Sequence, residues 1–385
     1  MNGQWGREMA DTVGIDIGAS AVRAVRVSGI DSDGYAVISG FSVVPLRPDS
    51  VVSGNIRNPQ AVATAIEKAC KHIGTKKNVI FGASAQEAAI ARLSLPSAVK
   101  PRERMDAVRT MGIQVSPAIS PLDAAMAMHT LREERASDGR TTLALSLAAT
   151  TQTELAIILD VAKRAKITPR AIDLLSAGTL RALVRDTEDS RESTSIVDIG
   201  ATTTRVLTRE GLELRAVRAF PIGGFDLTRA IASAAKETAD DAERRKWSMR
   251  LPNQALQEQR TKSTYAGLED DEDDEYIKKM NQQNVIERAL AGSAEMIVEQ
   301  IAQAVEVDSS GSGSRHITIC GGSSLMRGLK ERLHRRLGVE VRLGHPWARL
   351  ERTKEHEQYF LAGREDPRVM LELVNALGLA LWVES

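Results

Sequence analysis

Gly14-Ile15-Asp16-Ile17-Gly18-Ala19-Ser20, near the start of the chain, returns in its second half as Ile196-Val197-Asp198-Ile199-Gly200-Ala201-Thr202-Thr203. Each copy grows out of an apolar run, places hydroxyl residues behind its glycine, and leads through an arginine (Arg23, Arg205) into a second β-prone stretch. One strand–turn–strand device therefore occurs twice. The glycine lets backbone N–H groups approach an anion with no Cβ in the way. Ser20, Thr202 and Thr203 can add hydroxyls to the same oxygens. An aspartate at the strand end can hold a hydrated Mg²⁺, which prefers oxygen ligands and keeps several waters. One copy alone is equally an ordinary hairpin; two matched copies point to a cleft gripping a nucleoside triphosphate from both sides.

Working outward, Tyr35 to Val44 extends the first hairpin, and Pro59 to Ile73 has helical spacing with proline at its start and Gly74 at its stop. Residues 92–167 read as a small α/β module, with a helix from Pro101 to Met111 and a clear amphipathic helix from Thr151 to Ala165. Met126 and Met128 are expected to fill gaps in a core or interface. The second half repeats the order hairpin, strand, helix, which is duplication at domain scale. A helix opens at Gly223-Gly224, and another, Ala239 to Trp247, carries Glu243 and Lys246 on one face. That pair is either a surface ion pair or a ribose and base contact. A long helix is expected over Val285 to Val307. Gly321-Gly322-Ser323-Ser324, between the strand Ile317 to Cys320 and a helix from Met326 to Leu337, is a third glycine turn. It is either a plain strand–helix corner or a backbone platform for a base. A final helix is expected over Val369 to Trp382.

Composition narrows the classes. Fifty-one basic residues balance 51 acidic ones, so no net charge draws the chain to nucleic acid or an anionic membrane. Aromatics make up only 3%, against a base-stacking platform for single strands. Two cysteines, Cys70 and Cys320, read as buried thiols in a reducing compartment. The histidines are scattered without ligand spacing. The seven consecutive acids Glu269 to Glu275 lack the turn glycine of a calcium loop and read as a solvated insertion. Arg332, Arg335 and Arg336 read as one wet helix face. No signal sequence or spanning segment is evident, so the expected location is cytoplasmic.

These elements, in this order, resemble the actin, heat-shock-chaperone and sugar-kinase superfamily of nucleotide-binding folds. Within it the chain most resembles the type IV pilus assembly family PilM, a relative of the cell-division family FtsA. The match is carried by Gly14 to Val25, with Arg23 where lysine is usual, and by Leu93-Ser94-Leu95-Pro96. It continues in Phe220-Pro221-Ile222-Gly223-Gly224-Phe225-Asp226-Leu227-Thr228, Ala242-Glu243-Arg244-Arg245-Lys246 and Ala376-Leu377-Gly378-Leu379-Ala380-Leu381. The resemblance implies an α/β, two-lobed actin-like ATPase (duplicated ribonuclease H-like) fold with a small inserted α/β domain. The expected division is a tail 1–12, a first lobe 13–91 with insert 92–167 and return 168–193, then a second lobe from 194–225. A subdomain 226–290 with an acidic insertion 248–283, a return 291–348 and a closing segment 349–385 complete it.

The same resemblance implies ATP and Mg²⁺ between the lobes. Asp16 and Asp198 would serve the metal. Gly18, Ala19, Ser20, Gly200, Ala201, Thr202 and Thr203 would serve the phosphates, and Glu243, Lys246, Gly321, Gly322, Ser323 and Met326 the adenosine. The long helix is expected to flank the nucleotide, with Glu299 and Gln303 as candidates. Efficient hydrolysis in such folds needs a Gln or Glu ahead of the second turn to orient water. Leu174 to Leu183 offers Ser176, Thr179 and Arg181 instead, so slow or negligible turnover is expected. The implied role is a cytoplasmic scaffold that binds the cytoplasmic tail of a PilN-like inner-membrane protein. Self-association into a ring or filament is open, and membrane attachment would come through partners, since the chain ends at Ser385 directly after its closing helix. The rivals are an FtsA-like division protein, which carries a membrane helix beyond the fold, and a small-molecule kinase, which needs an acceptor base that no motif here marks.

Overall fold

The computed structural model describes residues 11–83, 89–111, 119–120, 122–135, 139–185, 193–251, 274–308, 316–350 and 366–382. The chain opens with strands β1 (Thr12–Ile17), β2 (Ala21–Ile30) and β3 (Ala36–Pro45), a short hairpin β4 (Val51–Val52) and β5 (Asn55–Ile56), helix α1 (Pro59–His72) and strand β6 (Val79–Ala83). Asn58 caps α1 by accepting the Ala61 N–H at 3.0 Å, and Pro59 supplies the first helical residue. The insert follows as β7 (Ala89–Pro96), α2 (Arg104–Thr110), β8 (Ala124–Arg135) and β9 (Thr141–Thr151). These strands form an antiparallel sheet in the order β7-β9-β8. Helix α3 (Gln152–Arg164), strand β10 (Ala171–Leu174) and helix α4 (Leu175–Leu183) lead back.

Strands β11 (Ser193–Ile199), β12 (Thr204–Glu210) and β13 (Glu213–Phe220) then repeat the opening meander. Helices α5 (Gly224–Ala235), α6 (Ala239–Ser248) and α7 (Asp274–Asp308), strand β14 (His316–Cys320), helix α8 (Leu329–Leu337), strands β15 (Glu340–Leu343) and β16 (Ala348–Leu350), and helix α9 (Asp366–Ala380) complete the chain. The first large sheet has the order β10-β6-β1-β2-β3-β16 and the second β13-β12-β11-β14-β15. In both, the leading strand pairs antiparallel with the next one and parallel with a strand on its other side.

All six residues of β1 are buried, as a central strand covered on both faces requires. Val13, Ile15 and Ile17 pack with Val62 and Ile66 of α1 and Ile158 and Val161 of α3. The other face takes α9. A Cβ on Gly14 would lie 1.9 Å from the Ala376 carbonyl oxygen, so only glycine lets that helix come so close. Gly178 of α4 and Gly378 of α9 meet in the same way, a Cβ on Gly378 lying 1.8 Å from the Gly178 oxygen.

Several expectations change. Helix α7 begins at Asp274 rather than near 285, so the last two residues of the acidic run belong to it. Residues 252–273 of the expected insertion, the linker 309–314 and the tail 1–10 lie outside the described residues. Helix α7 does not flank the cleft. Its Leu290, Ala294, Ile297 and Ile301 form the core of the second lobe with Leu329 and Leu333 of α8. Glu299 accepts from Arg336 of α8 at 2.8 Å, which ties the two helices together, and from Gln303 within α7 at 3.3 Å. Nor is Arg332 on a wet face: it is 5% exposed and pairs with Glu295 at 2.9 Å. Strand β8 was not read from the sequence; its Met126 and Met128 pack against the insert's small core around Leu145.

Candidate functional site

A cavity of about 460 Å³ lies between the two sheets, at the turns that follow β1 and β11. Asp16, Gly18, Ala19 and Ser20 line it from one side, and Asp198, Gly200, Ala201, Thr202 and Thr203 from the other. Glu243, Lys246, Gly321, Gly322 and Ser323 line it as well. Of the residues singled out for adenosine, Met326 is the exception. It is 3% exposed and its side chain packs into the second-lobe core, because the short 3-10 turn Gly322–Leu325 carries it past the cavity wall.

The two turns share one design. The Gly18 N–H donates to the Ala21 carbonyl at 3.1 Å, and the Gly200 N–H to the Thr203 carbonyl at 2.9 Å. The second is buttressed from two directions. The N–H groups of Gly224 and Phe225, at the start of α5, donate to the Gly200 and Ala201 carbonyls at 2.9 and 2.7 Å. Ser323 Oγ donates to the Gly200 carbonyl at 2.9 Å. This crowding gives the glycines their physical reason. A Cβ on Gly223 would lie 2.6 Å from the Gly200 oxygen, and one on Gly224 2.2 Å from Ser323 Oγ. Gly321 has φ +83°, and its Cβ would meet Asp198 Oδ1 at 2.4 Å. Within this cradle Thr203 Oγ1 is buried and has no hydrogen-bond partner.

Each aspartate has an arginine directly across its hairpin, Asp16 opposite Arg23 and Asp198 opposite Arg205. Arg205 donates to Asp198 Oδ2 at 2.8 Å. Arg23 donates to Ser20 Oγ at 3.2 Å and to the Ala21 carbonyl at 3.3 Å. Burial pushes the Asp16 carboxyl above its usual range; Arg23 and Arg205 pull it back, and the neighbouring Asp198 charge adds to the rise. Asn375 of α9 joins the two halves. Its Nδ2 donates to Asp198 Oδ2 at 3.0 Å, its Oδ1 accepts from Thr179 at 2.7 Å, and its nearness helps to hold the Asp16 pKa down.

At the other end, Lys246 is 2% exposed. Its ammonium donates to the Gly224 carbonyl at 3.1 Å, Thr228 Oγ1 at 3.0 Å and Glu243 Oε2 at 2.7 Å. Burial lowers its pKa and Glu243 opposes the shift. Trp247 Nε1 donates to Glu243 Oε1 at 2.9 Å.

Glu372 and Asn375 line the cavity but were not singled out. The signal was available: they are two polar residues three apart in the otherwise apolar stretch Val369 to Trp382. Trp247, Phe225, Arg23 and Arg205 also line the cavity.

A family profile described as type IV pilus assembly protein PilM matches residues 14–259, and one described as cell division protein FtsA matches residues 195–362. No curated protein matches. Among solved structures, a PilM-PilN type IV pilus biogenesis complex is similar at 22% identity, over 97% of this chain and 98% of that one, with a TM-score of 0.72. The ethanolamine utilization protein EutJ from Carboxydothermus hydrogenoformans is similar at 15% identity, over 97% and 90%, with a TM-score of 0.51. Together with the two matched sheets, these likenesses establish the fold as two-lobed and actin-like with a small inserted domain. With its opening motif, its insert and its Glu-x-x-Lys helix all inside the matched span, the chain belongs to the type IV pilus assembly protein PilM family.

Proposed function

We propose that this protein is an ATP-binding scaffold of a type IV pilus assembly machine, working on the cytoplasmic side of the inner membrane. It would capture the cytoplasmic tail of a PilN-like membrane protein. The observation that carries the nucleotide part is a single cavity lined by both Asp-x-Gly turns, the third glycine turn and the Glu243 face of α6. The partner part is supported by family membership and by likeness to a structure in which a PilM is bound to a PilN. No described helix is long and apolar enough to cross a membrane, so contact with the bilayer would run through that partner.

The residues present fit a triphosphate. The glycine cradle leaves room for phosphate oxygens, Thr203 holds a buried hydroxyl with no protein partner, and Arg23 and Arg205 supply positive charge. Among the described residues no cluster of three or more acidic, His or Cys side chains could hold a bare cation. Asp16 and Asp198 suit a Mg²⁺ that keeps its waters, which they would hold by hydrogen bonds. The ion would supply neutralisation of phosphate charge. Asp198 would keep Arg205 in place, and Asn375, itself held by Thr179, would keep Asp198 in place.

Turnover is expected to be slow. Of the residues ahead of the second turn, Thr179 is bonded to Asn375, and Arg181 to Asp173 and the Gly378 carbonyl. Among the described residues, α4 (Leu175–Leu183) carries no acidic or amide side chain that could be poised on a water.

Calorimetric titration of Mg-ATP into the wild type and Asp198→Asn tests the reading. Micromolar binding that weakens at least tenfold in the variant supports it, and absence of binding at millimolar ATP rejects it. Anisotropy of a labelled PilN-like tail peptide, with and without Mg-ATP, tests the partner separately.

A further inference from the structure

We infer that Trp247 is the platform on which the base of the bound nucleotide stacks, an inference that rests on the nucleotide reading above. Helix α6 brings Glu243, Lys246 and Trp247 to one face, since positions i, i+3 and i+4 are neighbours on a helix. An ammonium has three N–H donors, and Lys246 commits all three to the protein, at Gly224, Thr228 and Glu243. Lys246 is therefore a pin that fixes α6 to the start of α5. It has no donor left for a base.

Glu243 serves the same end. Its Oε2 takes Lys246 and Thr228, while its Oε1 accepts the indole N–H of Trp247 at 2.9 Å. The Lys246 ammonium lies 5.0 Å from the centre of the indole ring. The ring is held at its edge and against a cation, and its one polar atom is satisfied. Lys246 covers one side of the ring, so what Trp247, as a lining residue, has left for a ligand in the cavity is apolar aromatic surface. Among the described tryptophans no other lines this cavity. Trp347 donates to the Arg181 carbonyl and lies near Arg185, and Trp382 lies near Arg170.

Every base has a π-face, so stacking favours a large ring without choosing between adenine and guanine. It follows that Trp247 sets affinity for the base and contributes nothing to holding the phosphates.

The test uses the full chain, with Mg-ATP, Mg-GTP and Mg-tripolyphosphate as probes, in the wild type, Trp247→Phe and Trp247→Ala. Thermal melts establish that each variant is folded. Truncation to alanine is expected to weaken ATP and GTP alike by roughly 5- to 150-fold, the typical loss on removing a stacking ring. Tripolyphosphate affinity stays at the wild-type value. Phenylalanine keeps ATP affinity within about threefold, since its ring still stacks. Wild-type indole emission is quenched by Mg-ATP but not by Mg-tripolyphosphate, and the quench is lost in Trp247→Phe. If Trp247→Ala binds ATP as well as the wild type does, or loses tripolyphosphate in equal measure, the inference is overturned while nucleotide binding stands. If the wild type binds no ATP at all, both fall together.

Discussion

Asp16, Asp198 and Thr203 are places where the protein carries groups that its own fold does not fully use. The Thr203 hydroxyl is the clearest. It is buried and unpartnered, and an unmet buried polar group costs about 1–3 kcal/mol. Thr203→Val keeps the shape and removes the hydroxyl. It should leave stability in urea unchanged or raise it by up to about 1 kcal/mol, while Mg-ATP affinity falls about tenfold by calorimetry. A clear loss of stability would mean the hydroxyl serves the fold instead. Asp16 makes the same point through pH. Burial raises its pKa above the ordinary 3.8, so the folded state holds that proton more tightly than the unfolded state does. Its contribution is therefore favourable at low pH and is lost as pH rises through the folded value. Asp16→Asn should flatten the fall of the thermal midpoint across that window and lie above the wild type at neutral pH, while binding of Mg-ATP is lost. Melts from pH 4 to 8 check the first part. The thiols behave oppositely to reactive ones: burial lifts Cys70 to about 11, so it should resist alkylation in the native state at pH 8 and react only on unfolding.

Elements are where close approach decides. Helices α4 and α9 cross through Gly178 and Gly378 with no room for a methyl, 1.8 Å separating a Gly378 Cβ from the Gly178 oxygen. Gly378→Ala must push the helices apart and should cost about 1–3 kcal/mol or more, read as a lowered urea midpoint. Because α9 carries Asn375, nucleotide affinity should fall with it. This level also explains what could be read in advance. The two Asp-x-Gly hairpins and the third glycine turn were legible because their chemistry is local: a strand pattern, a glycine and a carboxylate within a few residues. Asn375 was not, because its partners Asp198 and Thr179 are far away in the chain and an isolated Asn in an apolar helix does not say which strand end it meets. Met326 was misread for the converse reason. It sits beside the right turn, yet the geometry of that turn delivers its side chain to the core. Strand β8 was overlooked because an edge strand half open to solvent has only weak alternation.

At the scale of the molecule, the cavity is shared. One aspartate comes from each sheet, and Asn375 links Asp198 of the second lobe to Thr179 of the first. A ligand that touches both sheets binds the folded state only, so it should stabilise the whole chain in one transition. At a hundredfold excess over its dissociation constant, Mg-ATP should add about 2.7 kcal/mol, visible as a rise in melting temperature that grows with nucleotide concentration. Two separate transitions, with only one shifted, would show that the sheets melt independently. The placing of α9 has a further consequence, in the order of synthesis. This helix is translated after every other element described here, yet it covers one face of β1, the earliest of those elements, with Gly14 lying against Ala376. Until α9 arrives, the first sheet exposes an apolar face and Asp198 lacks the amide of Asn375. On the proposed function, a nascent chain would hold nucleotide poorly until α9 docks, so nucleotide capture would report that both sheets and this helix have been made and have come together.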